Sequence, residues 1–309
     1  MSAADLRDTL SGQGQRLLAP VRRQVAPHLD TLAVSRFRTL ARRGASARDP
    51  WSVEDATITA FSRLVDRATA AGRASSRLEH AVVRAFRSLA DADLGAVPAP
   101  VVRQAVVDCF HRLYYRRSDQ TWKQTWWRGV EVWKNPLDLW IYQEIIHEVR
   151  PDVIVEAGTK YGGSAFFLAN LCDLEDWGRV VTIDVTEQPD RPQHDRITYL
   201  TGSSTDPQVI EQVDQIVAGG RVLVLLDSDH SARHVLAELR AWHTRVPVGS
   251  YLVVEDTNVH GHPVFPSHGP GPMEAVDAFL AENDDFVIDE SKHKFFMTFN
   301  PRGFLKRVG

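Results

Sequence analysis

Three carboxylates and one imidazole close two apolar runs in the C-terminal half of this sequence. Asp227 and His230 end Val222-Leu-Val-Leu-Leu-Asp-Ser-Asp-His230, and Glu255 and Asp256 end Tyr251-Leu-Val-Val-Glu-Asp256. Runs of this kind read as strands buried on both faces of a parallel sheet. In open α/β sheets the ligand crevice lies at the carboxyl ends of the strands. The two strand ends therefore bring their acids and the imidazole toward one crevice. No Lys or Arg adjoins them in sequence, so a compensating charge is expected, and a hard divalent cation such as Mg²⁺ is the simplest one.

A third strand end supplies a different function. Asp152-Val-Ile-Val-Glu-Ala-Gly-Thr-Lys-Tyr-Gly-Gly-Ser-Ala165 reads as a strand, a glycine turn and a helix opening near Ser164. Gly158, Gly162 and Gly163 allow a tight turn and close approach to a ligand, and the helix N-terminus adds unpaired N–H donors. The spacing G-x-x-x-G-G is neither the dinucleotide fingerprint nor the phosphate loop. About twenty residues on, Arg179-Val-Val-Thr-Ile-Asp184 ends in an acid where a ribose diol is usually held. A ribose-bearing ligand without a phosphate grip points to S-adenosylmethionine.

These residues carry a family resemblance. From about Asn135 to Gly309 the sequence resembles class I S-adenosylmethionine-dependent methyltransferases. Within them it is similar to the cephalosporin hydroxylase and rhamnosyl O-methyltransferase family. The resemblance lies in Asn-Pro-Leu-Asp-Leu-Trp-Ile-Tyr-Gln-Glu144, Glu-Ala-Gly-Thr-Lys-Tyr-Gly-Gly-Ser164, Leu-Asp-Ser-Asp-His230 and Val-Glu-Asp-Thr-Asn258, with Gly-Pro-Gly-Pro-Met-Glu274 behind them. It implies an α/β, Rossmann-like sheet, mostly parallel with an antiparallel C-terminal hairpin. It also implies methyl transfer from S-adenosylmethionine to a hydroxyl of a sugar or secondary-metabolite scaffold.

The resemblance further implies roles. Asp227, Glu255 and Asp256 match a metal site, and His230, three residues after the metal-binding Asp, matches a general base; an imidazole suits proton uptake near neutral pH. Asp229 alternates with Asp227 and is a second candidate ligand, or a cap for the helix opening at Ser231. The donor falls to Glu156, Gly158, Ser164, Asp184 and the Gly202-Ser203-Ser204 turn, with Lys160 and Tyr161 at the methionine end and Asp227 beside it. His260, His262 and His268 lie in a Gly- and Pro-rich loop above the acids, as ligands, bases or ordinary surface groups. Two rivals stand beside this reading: a non-haem iron hydroxylase using Asp256, His260 and His262, and a non-catalytic partner protein.

The elements that must position these groups follow from pattern. The expected order is helix 137–149, strand 152–156, helix 163–172, strands 179–184 and 197–201, helix 206–218, strand 221–226, helix 231–243, strand 250–254 and helix 271–281. Two last strands are expected at Phe286–Asp289 and Phe295–Phe299. Residues 1–120 read as a helical domain for assembly or substrate access. Its helices are expected around Leu29–Phe37, Ser52–Gly72, Ser76–Ala90 and Val101–Tyr115, with Val97–Pro100 as linker; residues 121–309 form the methyltransferase domain. Trp122, Trp126, Trp127, Trp133 and Trp140 cluster at the junction, either as a hydrophobic seam or as a stacking surface for the acceptor.

Composition limits the rest. The 309 residues are 43% apolar, enough for one α/β domain of about 190 residues and a smaller one. No run approaches the roughly 18 apolar residues of a membrane span, and Cys109 and Cys172 make no disulfide framework. A cytoplasmic protein, a homo-oligomer and a small-molecule acceptor are expected, with no membrane partner. The first 120 residues carry 19 Arg against 12 acids. These Arg are interspersed with acids and lack aromatic interleaving, so no nucleic-acid partner is expected.

Overall fold

The computed structural model describes residues 99–265 and 269–309. The expected helices around 29–37, 52–72 and 76–90, and His268, lie outside the described residues. The chain divides between Cys109 and Phe110 into two units, and every candidate site residue falls in the second. Helix α1 (Ala99–Arg116) begins inside the expected linker and crosses this division.

A small hairpin follows, β1 (Trp126–Trp127) with β2 (Val130–Glu131), turning at Arg128 and Gly129, both at positive φ. The order then alternates: α2 (Pro136–Val149), β3 (Val153–Ala157), α3 (Gly163–Leu174), β4 (Arg179–Asp184), β5 (Ile197–Thr201), α4 (Pro207–Val217), β6 (Val222–Leu226), α5 (Ala232–Trp242), β7 (Tyr251–Val254) and α6 (Pro272–Glu282). Strands β8 (Phe286–Ile288) and β9 (Phe304–Arg307) close the chain. Across the sheet the order is β5-β4-β3-β6-β7-β9-β8, with β3 to β7 parallel and β9 antiparallel to both neighbours.

The strands β3, β6 and β7 are apolar on both faces because helices cover both. Val153, Val155, Val222, Val224 and Leu252 pack with α4, α5 and α6 on one side. Ile154, Leu223, Leu225, Tyr251 and Val253 pack with α2 and α3 on the other. Helix starts follow local chemistry. Asn135 and Asp206 cap α2 and α4, each with proline next in line, and Ser231 caps α5. No helix of the described residues is long and apolar enough to cross a membrane.

One expected strand is corrected. Phe295–Phe299 is irregular, and the last strand is Phe304–Arg307, which pairs Tyr251 with Lys306. The backbone around Phe299 is engaged elsewhere: Phe299 N donates to Asp138 Oδ2 at 2.8 Å, and Asn258 N donates to Phe299 O at 3.1 Å. A segment whose polar groups are taken by a helix start and a loop has none left for a ladder.

Candidate active site

Parallel register sets the height of the strand ends. Ala157 pairs with Leu226 and Leu226 with Val254. The ladder runs one residue further, with Asp227 N donating to Ala157 O at 2.8 Å and Glu255 N to Leu226 O at 2.9 Å. Asp227 and Glu255 therefore leave the sheet side by side. At Gly158, where φ is +100°, a Cβ would stand 1.9 Å from the carbonyl oxygen of Asp227. The glycine is thus required by the neighbouring strand end, whatever the loop binds.

A cavity of about 620 Å³ opens over these ends. Gly158, Lys160, Tyr161, Ser164, Asp184, Ser203 and Ser204 line one part of it; Lys134, Asp227, His230 and Asp256 line another. Asp184 is held from both oxygens, accepting from Lys160 N and Thr186 N at 2.8 Å each. Glu156 does not reach the cavity surface: it is fully buried below it and accepts from Thr182 Oγ1 at 2.7 Å. Burial raises its pKa, against the opposing charge of Lys134. Nε1 of Trp133, which lines the cavity, is buried without a hydrogen-bond partner, and Ser164 Oγ has none besides the Glu156 carboxylate beneath it. Orphaned polar atoms beside a cavity are what a polar ligand would satisfy.

The acid end contains a group the sequence reading missed. Lys134 is 4% exposed and places Nζ 2.7 Å from Asp227 Oδ2 and 2.6 Å from Glu255 Oε2. The expectation of carboxylates with no cation beside them is corrected: the cation arrives from about 90 residues upstream. The hairpin delivers it, with Val132 N donating to Thr125 O at 3.0 Å. Burial works to lower the Lys134 pKa, but Asp227, Glu255 and Glu156 together raise it. A Lys directly before the Asn-Pro helix start, in a chain with 6 Lys and 30 Arg, was the available signal.

One ammonium does not balance three carboxylates. His230 Nε2 lies 3.3 Å from Asp227 Oδ1 and 3.6 Å from Asp256 Oδ2, and these three groups converge closely enough to hold one metal ion. Asp227 is lowered to about 2; burial opposes this, and Lys134 and His230 outweigh it. Burial raises Glu255 and Asp256 above the usual carboxylate range. His230 is raised to about 9: burial pulls it down, but the hydrogen bond to Asp227 and the charge of Asp256 prevail. Glu255 and Asp256 are both raised because the positive charge beside them does not offset their burial. The donor set fits a divalent cation.

Neighbouring candidates separate. Asp229 Oδ1 accepts from Ser231 N at 2.8 Å, just ahead of α5, and Asp227 is the one that joins His230 and Asp256. His262 pairs with Glu274 at 2.7 Å, and the converging group contains neither His260 nor His262. A two-His iron site is therefore not assembled among the described residues. The tryptophans divide as well. Trp122 and Trp133 line the cavity with Tyr115, whereas Trp127 packs edge-on against Phe167, and Trp126 and Trp140 are exposed.

The tail holds the acids in place. Asp138 accepts from Asn135 Nδ2 at 3.1 Å and from Thr298 Oγ1, while Asn300 Nδ2 donates to Tyr142 OH at 2.8 Å. Asn300 Oδ1 in turn accepts from Asp256 N at 3.0 Å, where Asp256 takes φ +53°. The same segment stacks Phe299 on His111 at 5.5 Å. His111 Nε2 accepts from Asn258 Nδ2 at 2.7 Å. Burial, then the charge of Arg112, lowers His111 from 6.5 to about 4. Between those values the unfolded chain binds a proton that the native one refuses, so stability falls as pH drops through this window. The expected loss is about 3 kcal/mol by pH 4. Urea melts of the parent and His111→Phe across pH 7 to 4 check it; equal slopes would remove the assignment.

The family profile described as "Rhamnosyl O-methyltransferase/CmcI" matches residues 119–308. A rhamnosyl O-methyltransferase of Mycobacterium tuberculosis is 40% identical over 211 residues, covering 66% of this chain and 85% of that protein. One from Mycobacterium leprae is 36% identical over 211 residues, covering 66% and 91%. A solved structure described as "cmcI-D160 Mg-SAM" aligns at 21% identity over 60% of this chain and 78% of that one, with a TM-score of 0.48.

Proposed function

The chain belongs to the rhamnosyl O-methyltransferase/CmcI family, and from that premise we propose that it methylates a hydroxyl of a sugar or sugar-bearing scaffold, using S-adenosylmethionine and a divalent cation. The observation that carries this is the shared cavity. The glycine loop and Asp184 border the same space as Asp227, His230 and Asp256, so a sulfonium methyl and a hydroxyl can be held in line. The relatives are described as acting on a rhamnosyl group; for this chain a sugar hydroxyl is the corresponding acceptor.

Roles follow from position. Asp184 accepts the ribose diol, and Ser164 and Lys160 face the methionine end. Asp227 and Asp256 would hold the cation, with Glu255 behind them on Lys134. A cation there would supply a Lewis acid that lowers the pKa of the acceptor hydroxyl. The charges of Asp227 and Asp256 keep a proton on His230; with that charge offset by a bound cation, Nε2 would be free to take the hydroxyl proton. Trp122, Trp133 and Tyr115 give the acceptor an apolar wall. The converging acids argue against a non-catalytic partner protein.

Calorimetric titration with S-adenosylhomocysteine, with and without Mg²⁺, tests the reading. The parent should bind in both conditions. Asp184→Ala should bind roughly tenfold to a hundredfold more weakly, the ~1.5–3 kcal/mol of a charged hydrogen-bond acceptor. A parent that fails to bind removes the donor assignment, and an unimpaired Asp184→Ala removes the role of that residue.

A further inference from the structure

Glu238, on α5, has no role in the chemistry above. Its side chain is completely buried. It nevertheless reaches two strand ends at once. Ser204, after β5, and Ser228, after β6, both donate their hydroxyls to Glu238 Oε1, Ser228 at 2.6 Å. His234 Nε2 stands 3.5 Å from the same oxygen. Ser204, Ser228 and His234 all line the cavity, while Glu238 lies behind them. The turn itself is fixed from below, because Trp242 Nε1 donates to Ser204 O at 3.0 Å.

A serine hydroxyl has one proton and two lone pairs. Glu238 Oε1 accepts from both hydroxyls, so each spends its proton there. What Ser204 and Ser228 can offer the cavity is then restricted to lone pairs. Two neighbouring side chains become acceptors in that direction and cannot act as donors. Oε2 of Glu238 is buried with no hydrogen-bond partner, and His234 is the other side chain that its carboxylate meets.

We propose that Glu238 is a specificity-determining residue that makes this end of the cavity an acceptor site for the exocyclic amine of an adenine base. The proposal rests on the donor assignment above, in which the turn after β5 borders the adenosine. A 6-amino group donates to the serine oxygens. A 6-oxo group meets their lone pairs with its own, and a pocket built for one partner rejects the other by leaving buried polar groups unpaired.

Affinities for S-adenosylhomocysteine and its deaminated 6-oxo analogue, S-inosylhomocysteine, measured by calorimetry on the full chain, test it. The parent should prefer the amino form by about tenfold or more. Glu238→Met releases both hydroxyl protons to turn toward the cavity, so the preference should shrink toward unity. Glu238→Gln should retain the preference, because its amide oxygen accepts both hydroxyls and its NH₂ takes the place of an atom with no partner. A purely structural residue would weaken both ligands equally and leave the ratio unchanged. That result in a folded Glu238→Met overturns the proposal, as does a parent indifferent to the two ligands or a Glu238→Gln ratio as low as that of Glu238→Met. If Glu238→Met does not fold, Ser228→Ala decides, with a reduced ratio expected and an unchanged one contrary. A parent that binds neither ligand overturns the donor assignment instead.

Discussion

A His230→Ala enzyme is expected to turn over about 10²–10⁴-fold more slowly than the parent, the usual range for loss of a general base. Donor affinity should not change, because His230 lies at the acid end of the cavity and away from Asp184. The structure sharpens the control. His230 Nε2 is grouped with Asp227 and Asp256 at distances that suit a metal, so a base must be distinguished from a ligand. Mn²⁺ affinity does this. Asp256→Asn should lose metal affinity and turnover together, whereas His230→Ala should lose turnover alone and regain part of it at high pH. Metal affinity falling equally in both variants would make the imidazole a ligand. Normal turnover in His230→Ala would remove it from the chemistry.

The second large effect concerns Lys134. Its buried ammonium sits between the buried Glu255 and the half-buried Asp227, and removing one partner of a buried ion pair costs about 3–5 kcal/mol. Lys134→Met should therefore melt well below the parent in chelator. Mg²⁺ should then restore more stability to the variant than to the parent, since a cation that competes for Asp227 and Glu255 has gone. A ligand at a hundred times its Kd adds about 2.7 kcal/mol, which sets the size of the expected recovery. Thermal melts with chelator and with Mg²⁺ check this. Matching curves for parent and variant in both conditions would show that Lys134 neither supports the acids nor competes for them.

What was legible in the sequence was what is local. The apolar runs ending in Asp184, Asp227 and Glu255 named their strands, and apolar spacing placed the helices between them to within a residue or two of their ends. The parallel order brought those ends together without further information. What was not legible came from contacts distant in sequence. Lys134 reaches the acids through a hairpin whose only mark is Arg128-Gly129. Phe295–Phe299 has strand composition, yet Asp138 and Asn258 take its polar groups. Glu156 ends an acid-bearing strand like Asp184, but its side chain faces the helices and not the cavity. A period-two pattern places a side chain on a face and does not say which face opens to the ligand.

The clamp from Asp138 and Tyr142 to Thr298, Phe299 and Asn300 sets an order of events. Asp256 is oriented by Asn300, 44 residues further along the chain. The glycine loop, Asp184 and all the acids precede this segment in the chain. Pairings of such large sequence separation form late. The scaffold that carries the acids can therefore form before they are arranged, and they take their final positions only when this segment docks on Asp138 and Tyr142.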